Sequence, residues 1–141
     1  MKRRFFWLAT GLVIAGLVWW LVPGYFETPL DPRSVEHLKS MAAEINRGVP
    51  VMIDAETELL SVDAAPATLT YNYRLVKYSA AQLDHEKFAA GVKQRVTQGA
   101  CNRPETRDNF LKRGVTLRYA YFDKDRRPIA TVGVTPADCG F

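Results

Sequence analysis

Hydrophobic positions fall into two regimes along this chain: one unbroken apolar run near the start, then a longer stretch in which apolar and polar residues alternate with helical or strand periods. The run, Phe5 to Val22, carries no charge and follows Lys2, Arg3 and Arg4. As a helix it rises roughly 27 Å, close to the hydrocarbon thickness of a bilayer, and Pro23-Gly24 closes it. Further on, Asp31-Pro32 supplies an N-cap carboxylate and a first-turn proline. Val35, Leu38, Met41, Ala42 and Ile45 then recur at three-to-four spacing up to Gly48, which predicts a first helix.

After Pro50 the period becomes strand-like. Val51 to Ile53 and Thr57 to Val62 read as extended, Ala64 to Ala67 as a turn region, and Thr68 to Tyr78 as the return strand. In that strand Leu69, Tyr71, Tyr73 and Leu75 share one face, while Thr70, Asn72 and Arg74 take the other. Ser79 to Gln82 fits a capping box, with Asp84 as a competing N-cap, and Phe88, Val92 and Val96 mark a second helix ending near Gly99. Pro104 opens a third, through Phe110 and Leu111 to Gly114. Val115 to Phe122 and Pro128 to Thr135 are the last two strands, joined by a turn at Asp123-Lys124-Asp125.

The predicted order is α-β-β-α-α-β-β, an α+β domain with helices covering an antiparallel sheet. Residues 1–25 form the basic start and transmembrane helix, 26–31 a short linker and 32–141 the domain. Thr68 to Tyr73 and Thr116 to Tyr121 share T-L-x-Y-x-Y, a short echo between two hairpins that the architecture does not require.

The apolar run has two readings. A cleavable secretory signal needs a small-x-small site, which Ala9, Ala15 and Gly16 supply poorly. Leu17 to Val22 continues apolar, and Trp19, Trp20, Tyr25 and Phe26 sit where an interface would hold aromatic rings, so the reading adopted is an uncleaved anchor. The basic residues ahead of it keep the amino terminus cytoplasmic and send the domain into the periplasm of a Gram-negative bacterium, with the lipid bilayer as partner of residues 5–22. Gly11 and Ala15 form a small-xxx-small pair, the basis for a weak homodimer.

That topology changes what the charge means. Of 19 Lys and Arg against 15 Asp and Glu, three basic residues precede the anchor and every acid follows it, so the exported part carries a net charge of only +1. The high overall pI is a topology signal, and nucleic acid is excluded as a partner. Both cysteines, Cys101 and Cys139, lie in the exported part, where an oxidising compartment favours a structural disulfide; no C-x-x-C spacing supports a redox pair.

Catalytic chemistry finds little support. Asp84-His85-Glu86 is the densest titratable cluster, but consecutive helical residues diverge by about 100° and read better as a capped first turn. Asp54, Glu56 and Glu58 read as a solvated edge that lacks the further oxygen ligands of a calcium loop. His37 on the first helix reads as a surface residue. Zincin, nucleophile-elbow and phosphate-loop motifs are absent from the sequence, so no enzyme, metal or cofactor is expected.

What remains is an interaction surface. Arg103, Arg107, Lys112, Arg113, Arg118, Lys124, Arg126 and Arg127 outnumber the acids along one stretch and form the candidate partner-binding basic face. The functional expectation is a membrane-anchored, non-catalytic binding module, an accessory or scaffold of an envelope complex with a protein partner. The alternative is an immunity-type inhibitor of an envelope-directed toxin or hydrolase. A reporter active only outside the cytoplasm, fused after Phe141, should be active and fractionate with membranes; a soluble periplasmic form lacking the first residues would mean that the run is a signal.

Overall fold

Ser34, rather than Asp31, starts the first helix of the domain. Its side chain accepts from the His37 backbone amide, while Asp31 instead accepts from the Arg33 amide in the turn before it. The computed structural model describes residues 30–141; the predicted membrane span and most of the linker lie outside the described residues. Among the described residues no helix is long and apolar enough to cross a membrane.

The helix α1 spans Val35–Asn46, and the strands β1 (Val51–Met52), β2 (Thr57–Ala65) and β3 (Thr68–Leu75) follow. The second long helix, α2, covers His85–Asn102, with a short α3 at Pro104–Asn109, and β4 (Thr116–Phe122) and β5 (Pro128–Val134) complete the sheet. The capping box at Ser79 is present, but it closes a single 3-10 turn at Ala80–Gln82. The helix proper begins one turn later, where Asp84 accepts from the Lys87 amide. Gly99 does not end α2, because one glycine costs only about 1 kcal/mol against alanine and the buried Ala100 beyond it adds contact.

The sheet runs β1-β2-β3-β4-β5 and is mixed, which corrects the expectation of an antiparallel sheet. β3 and β4 lie side by side in parallel, pairing Thr68 with Thr116, Leu69 with Leu117, Tyr71 with Tyr119 and Tyr73 with Tyr121. The two copies of T-L-x-Y-x-Y are thus neighbours in register at the centre of the sheet. Period-two alternation is the same for either strand direction, so the pattern could not reveal it. The deciding element is the connection: residues 76–115 include two helices and return the chain to the same end of the sheet.

Both long helices pack on one face, α1 against β2 and α2 against β5. Leu38, Val62, Leu69, Leu111, Val115, Leu117 and Val134 are fully buried there. Each such side chain contributes roughly 1.5–3 kcal/mol by leaving water. Polar side chains close the places where the ladder stops. Asn46, at the end of α1, both donates to the Val62 carbonyl and accepts from its amide, serving the edge of β2 that the short β1 leaves unpaired. Gly114 takes φ +84° after the 3-10 turn Leu111–Arg113, and a Cβ there would come within 3.1 Å of Arg33.

Asp123, which the sequence places in a turn, is fully buried. Its carboxylate accepts from the backbone amides of Ala80, Asp125 and Arg127, tying the β4–β5 turn to the loop before α2. Those donors, the Ala80 amide first, hold its pKa below the usual carboxylate value. Asp138 is similarly lowered, to about 2, chiefly by Lys93, whose ammonium also donates to the Gly133 carbonyl.

Cys101 on α2 and Cys139 in the 3-10 turn Pro136–Cys139 form a disulfide, Cα–Cα 5.4 Å, across a separation of 38 residues. A loop of that length is worth on the order of 4 kcal/mol in the chain-entropy account. Cys101→Ser and Cys139→Ser should each cost about 2–4 kcal/mol in urea unfolding, and the double variant no more than one of them, since all remove the same bridge. Stability should also fall as pH drops from about 4 towards 2, because lowered carboxylates stabilise the fold above their unfolded pKa and lose that contribution on protonation. Asp123→Asn should reduce the acid dependence while lowering the melting temperature at neutral pH.

Candidate functional site

Because α1 lies over β2 and α2 over β5, the central strands β3 and β4 carry the floor of a groove of about 520 Å³. The floor is Tyr73, Tyr119 and Tyr121. Strand alternation puts these rings, with Tyr71, on the helix side, and the parallel register brings them together. Tyr71 stacks on Tyr119 at 5.6 Å between centroids and Tyr73 on Tyr121 at 5.3 Å, while Phe88 meets Tyr121 edge-on at 5.4 Å. Stacked and edge-on pairs of this kind add about 0.5–1.5 kcal/mol each beyond area burial, so the floor is a rigid aromatic plate.

One wall is α2, which presents Phe88, Val92 and Val96. The other is the β1–β2 connection, with Ile53, Asp54 and Thr57. Asp54 does not reach across; it accepts from the backbone amides of Glu56 and Thr57, and those bonds, the Glu56 amide first, lower its pKa. Arg95 and Arg103 stand on the rim of the α2 wall and form no ion pair among the described residues. Burial pushes the hydroxyls of Tyr71, Tyr73, Tyr119 and Tyr121 above the ordinary tyrosine pKa, so all four stay protonated donors at physiological pH.

The basic stretch is distributed over several places. Arg103 reaches the groove, whereas Arg107 and Lys112 both bond Asp108 at 2.9 Å and Arg113 donates to the Asp108 carbonyl. Arg107 first, and then Lys112, hold the Asp108 carboxylate far below the usual range. Arg118 is exposed on β4, alternating with Leu117 and Tyr119, and so belongs to the face of the sheet away from the helices. Arg126 lines a second hollow of about 420 Å³ beside Pro50, Leu60, Ser61, Asn72 and Phe122, while Lys124 and Arg127 lie in the β4–β5 turn.

The acidic groups weighed for chemistry do not converge. Asp84 caps α2, and the His85 ring bonds the Ala80 carbonyl at 2.9 Å. Glu58 pairs with Arg74, and Glu56 with Lys77 and Tyr78. Among the described residues no group of three His, Cys, Asp or Glu side chains is placed to hold a metal ion. Sequence reading identified the tyrosines as a strand face but missed Arg95 and the groove. The available signals were the paired tyrosine motif and the spacing Gly91, Arg95, Gly99, Arg103, every fourth position along α2 and its C-cap.

No protein-family profile and no curated protein matches the chain. Its fold is shared with solved structures at low identity. A Pseudomonas aeruginosa protein described as secreted superposes with TM-score 0.62 at 19% identity, covering 74% of this chain and 91% of that one. The pilotin EpsS of the Vibrio vulnificus type 2 secretion system gives 0.60 at 12%, covering 76% and 92%. The pilotin AspS of the Vibrio cholerae type II secretion system gives 0.58 at 17%, covering 74% and 91%.

Spectrophotometric titration tests the groove floor. The four stacked tyrosines should resist ionisation past pH 10, the ordinary tyrosine value, and ionise together with unfolding rather than before it. Reversible ionisation of these rings near pH 10 in the folded protein would mean that their hydroxyls are not buried enough to lose hydration.

Proposed function

We propose that this chain is a non-catalytic accessory or scaffold module of a bacterial envelope complex, held at the inner membrane by residues 5–22 with its α+β domain in the periplasm. The partner is a protein, part of which lies in the groove between α2 and the β1–β2 connection. The observation that carries this reading is the groove itself: a stacked tyrosine floor, an aliphatic helix wall and two rim arginines make a contact surface, with no nucleophile paired to a base among its lining residues. The disulfide supports an oxidising compartment. The fold is shared with two pilotins of type 2 secretion systems and with a protein described as secreted, which supports an accessory role outside the cytoplasm.

Of the basic stretch, Arg103 is the residue this reading assigns to the partner; Arg118 and Arg126 face other surfaces. A photo-crosslinking residue placed at Val96 on the groove wall should capture one discrete protein in intact cells, and the same residue at Arg118 should not. Capture from Arg118 alone would move the site to the helix-free face, and capture of a hydrolase or toxin at Val96 would replace the scaffold by the inhibitor.

A further inference from the structure

Gly99 sits inside an 18-residue helix, on the wall of the groove, and no contact among the described residues requires it to be glycine. A Cβ built there meets no other group within 4 Å, and its backbone is ordinary helix. Glycine is the poorest interior helix former after proline, so the position gives up helix stability without relieving any contact in the folded chain. Because Gly99 lines the groove, as Gly91 does not, the missing side chain lets a partner backbone approach α2 closely there.

Arg95 and Arg103 lie four residues before and four after Gly99, on the same flank of α2, Arg103 being its C-cap. Eight residues of helix separate the two by about 12 Å along the axis. Both arginines line the same groove as Tyr73, Tyr119 and Tyr121, with Asp54 on the wall opposite. A guanidinium and a neutral phenol both donate, and a carboxylate only accepts. The apolar floor between the two points suits a partner with apolar residues between its charges.

Resting on the groove reading above, we infer that the occupant is an apolar segment of a protein partner carrying two carboxylates about 12 Å apart, whose backbone comes closest to α2 at Gly99. Asp54 on the opposite wall makes the Arg95 end less positive, so Arg103 carries the larger share of the attraction.

The test uses the full chain in lipid nanodiscs and labelled synthetic helical peptides, read by fluorescence anisotropy. One peptide carries glutamates eight positions apart with leucine and alanine between them; a second has lysines in their place. The glutamate peptide should bind and the lysine peptide should not. The double variant R95E/R103E should weaken the first by at least about tenfold and gain the second, with R103E alone costing more than R95E.

Gly99→Ala should raise the melting temperature while weakening binding, and Gly99→Leu should weaken it further. Gly91→Ala, on the same helix where a Cβ also meets nothing and outside the residues lining the groove, should raise stability and leave binding unchanged. Equal binding of both peptides, or binding within about twofold in R95E/R103E, overturns the carboxylate assignment. If the in-cell crosslink from Val96 then persists in R95E/R103E, the groove reading stands and only its acidic partner falls. If no protein is captured at Val96 at all, both fall.

Discussion

Parallel pairing of β3 with β4 sets Leu69 beside Leu117, Tyr71 beside Tyr119 and Tyr73 beside Tyr121, and the arrangement of the domain follows from that register. Parallel neighbours cannot be joined by a tight turn, so the chain between them must cross a face of the sheet, and it does so as α2 and α3. The crossing covers β5 more than the central strands, while α1 covers β2. A strip of aromatic rings packs against the core there, and three of its rings also line the groove. The leucines at one end of the strip are buried completely, and the tyrosines further along line the groove.

A floor of this kind needs its walls fixed, and the structure fixes α2 at both ends. At its start, Asp84 caps the helix, and Asp123 draws the preceding loop onto the β4–β5 turn through the Ala80 amide. At its far end, Cys101 is bonded to Cys139, and midway along it Lys93 holds Asp138 and the Gly133 carbonyl. The bridge does more than pin a tail: it ties the groove-forming helix to the segment that leaves β5. Removing it therefore loosens the α2 wall as well as the terminus.

Much of this domain was legible in the sequence because the relevant signals are local. Period-four apolar residues along α2, alternation in β3 and β4, the cap at Asp84, and two cysteines in an exported segment each follow from spacing and side-chain chemistry. Even the T-L-x-Y-x-Y echo was visible as letters. Strand direction was not, since a side chain on a pleated strand points to the same face whichever way its neighbour runs.

The sequence by itself determined the α+β class, the apolar face of each long element and the chemistry available to the cysteines. Only the tertiary structure decided which strands are neighbours, that Asp123 is buried beneath three amides, and that Arg103 stands above tyrosines while Arg107 and Lys112 share Asp108. The physical reason is that periodicity records how much of a residue is buried, whereas a groove depends on which buried faces are left uncovered. That is fixed by crossover length, strand order and helix placement, all of which act between residues far apart in the chain.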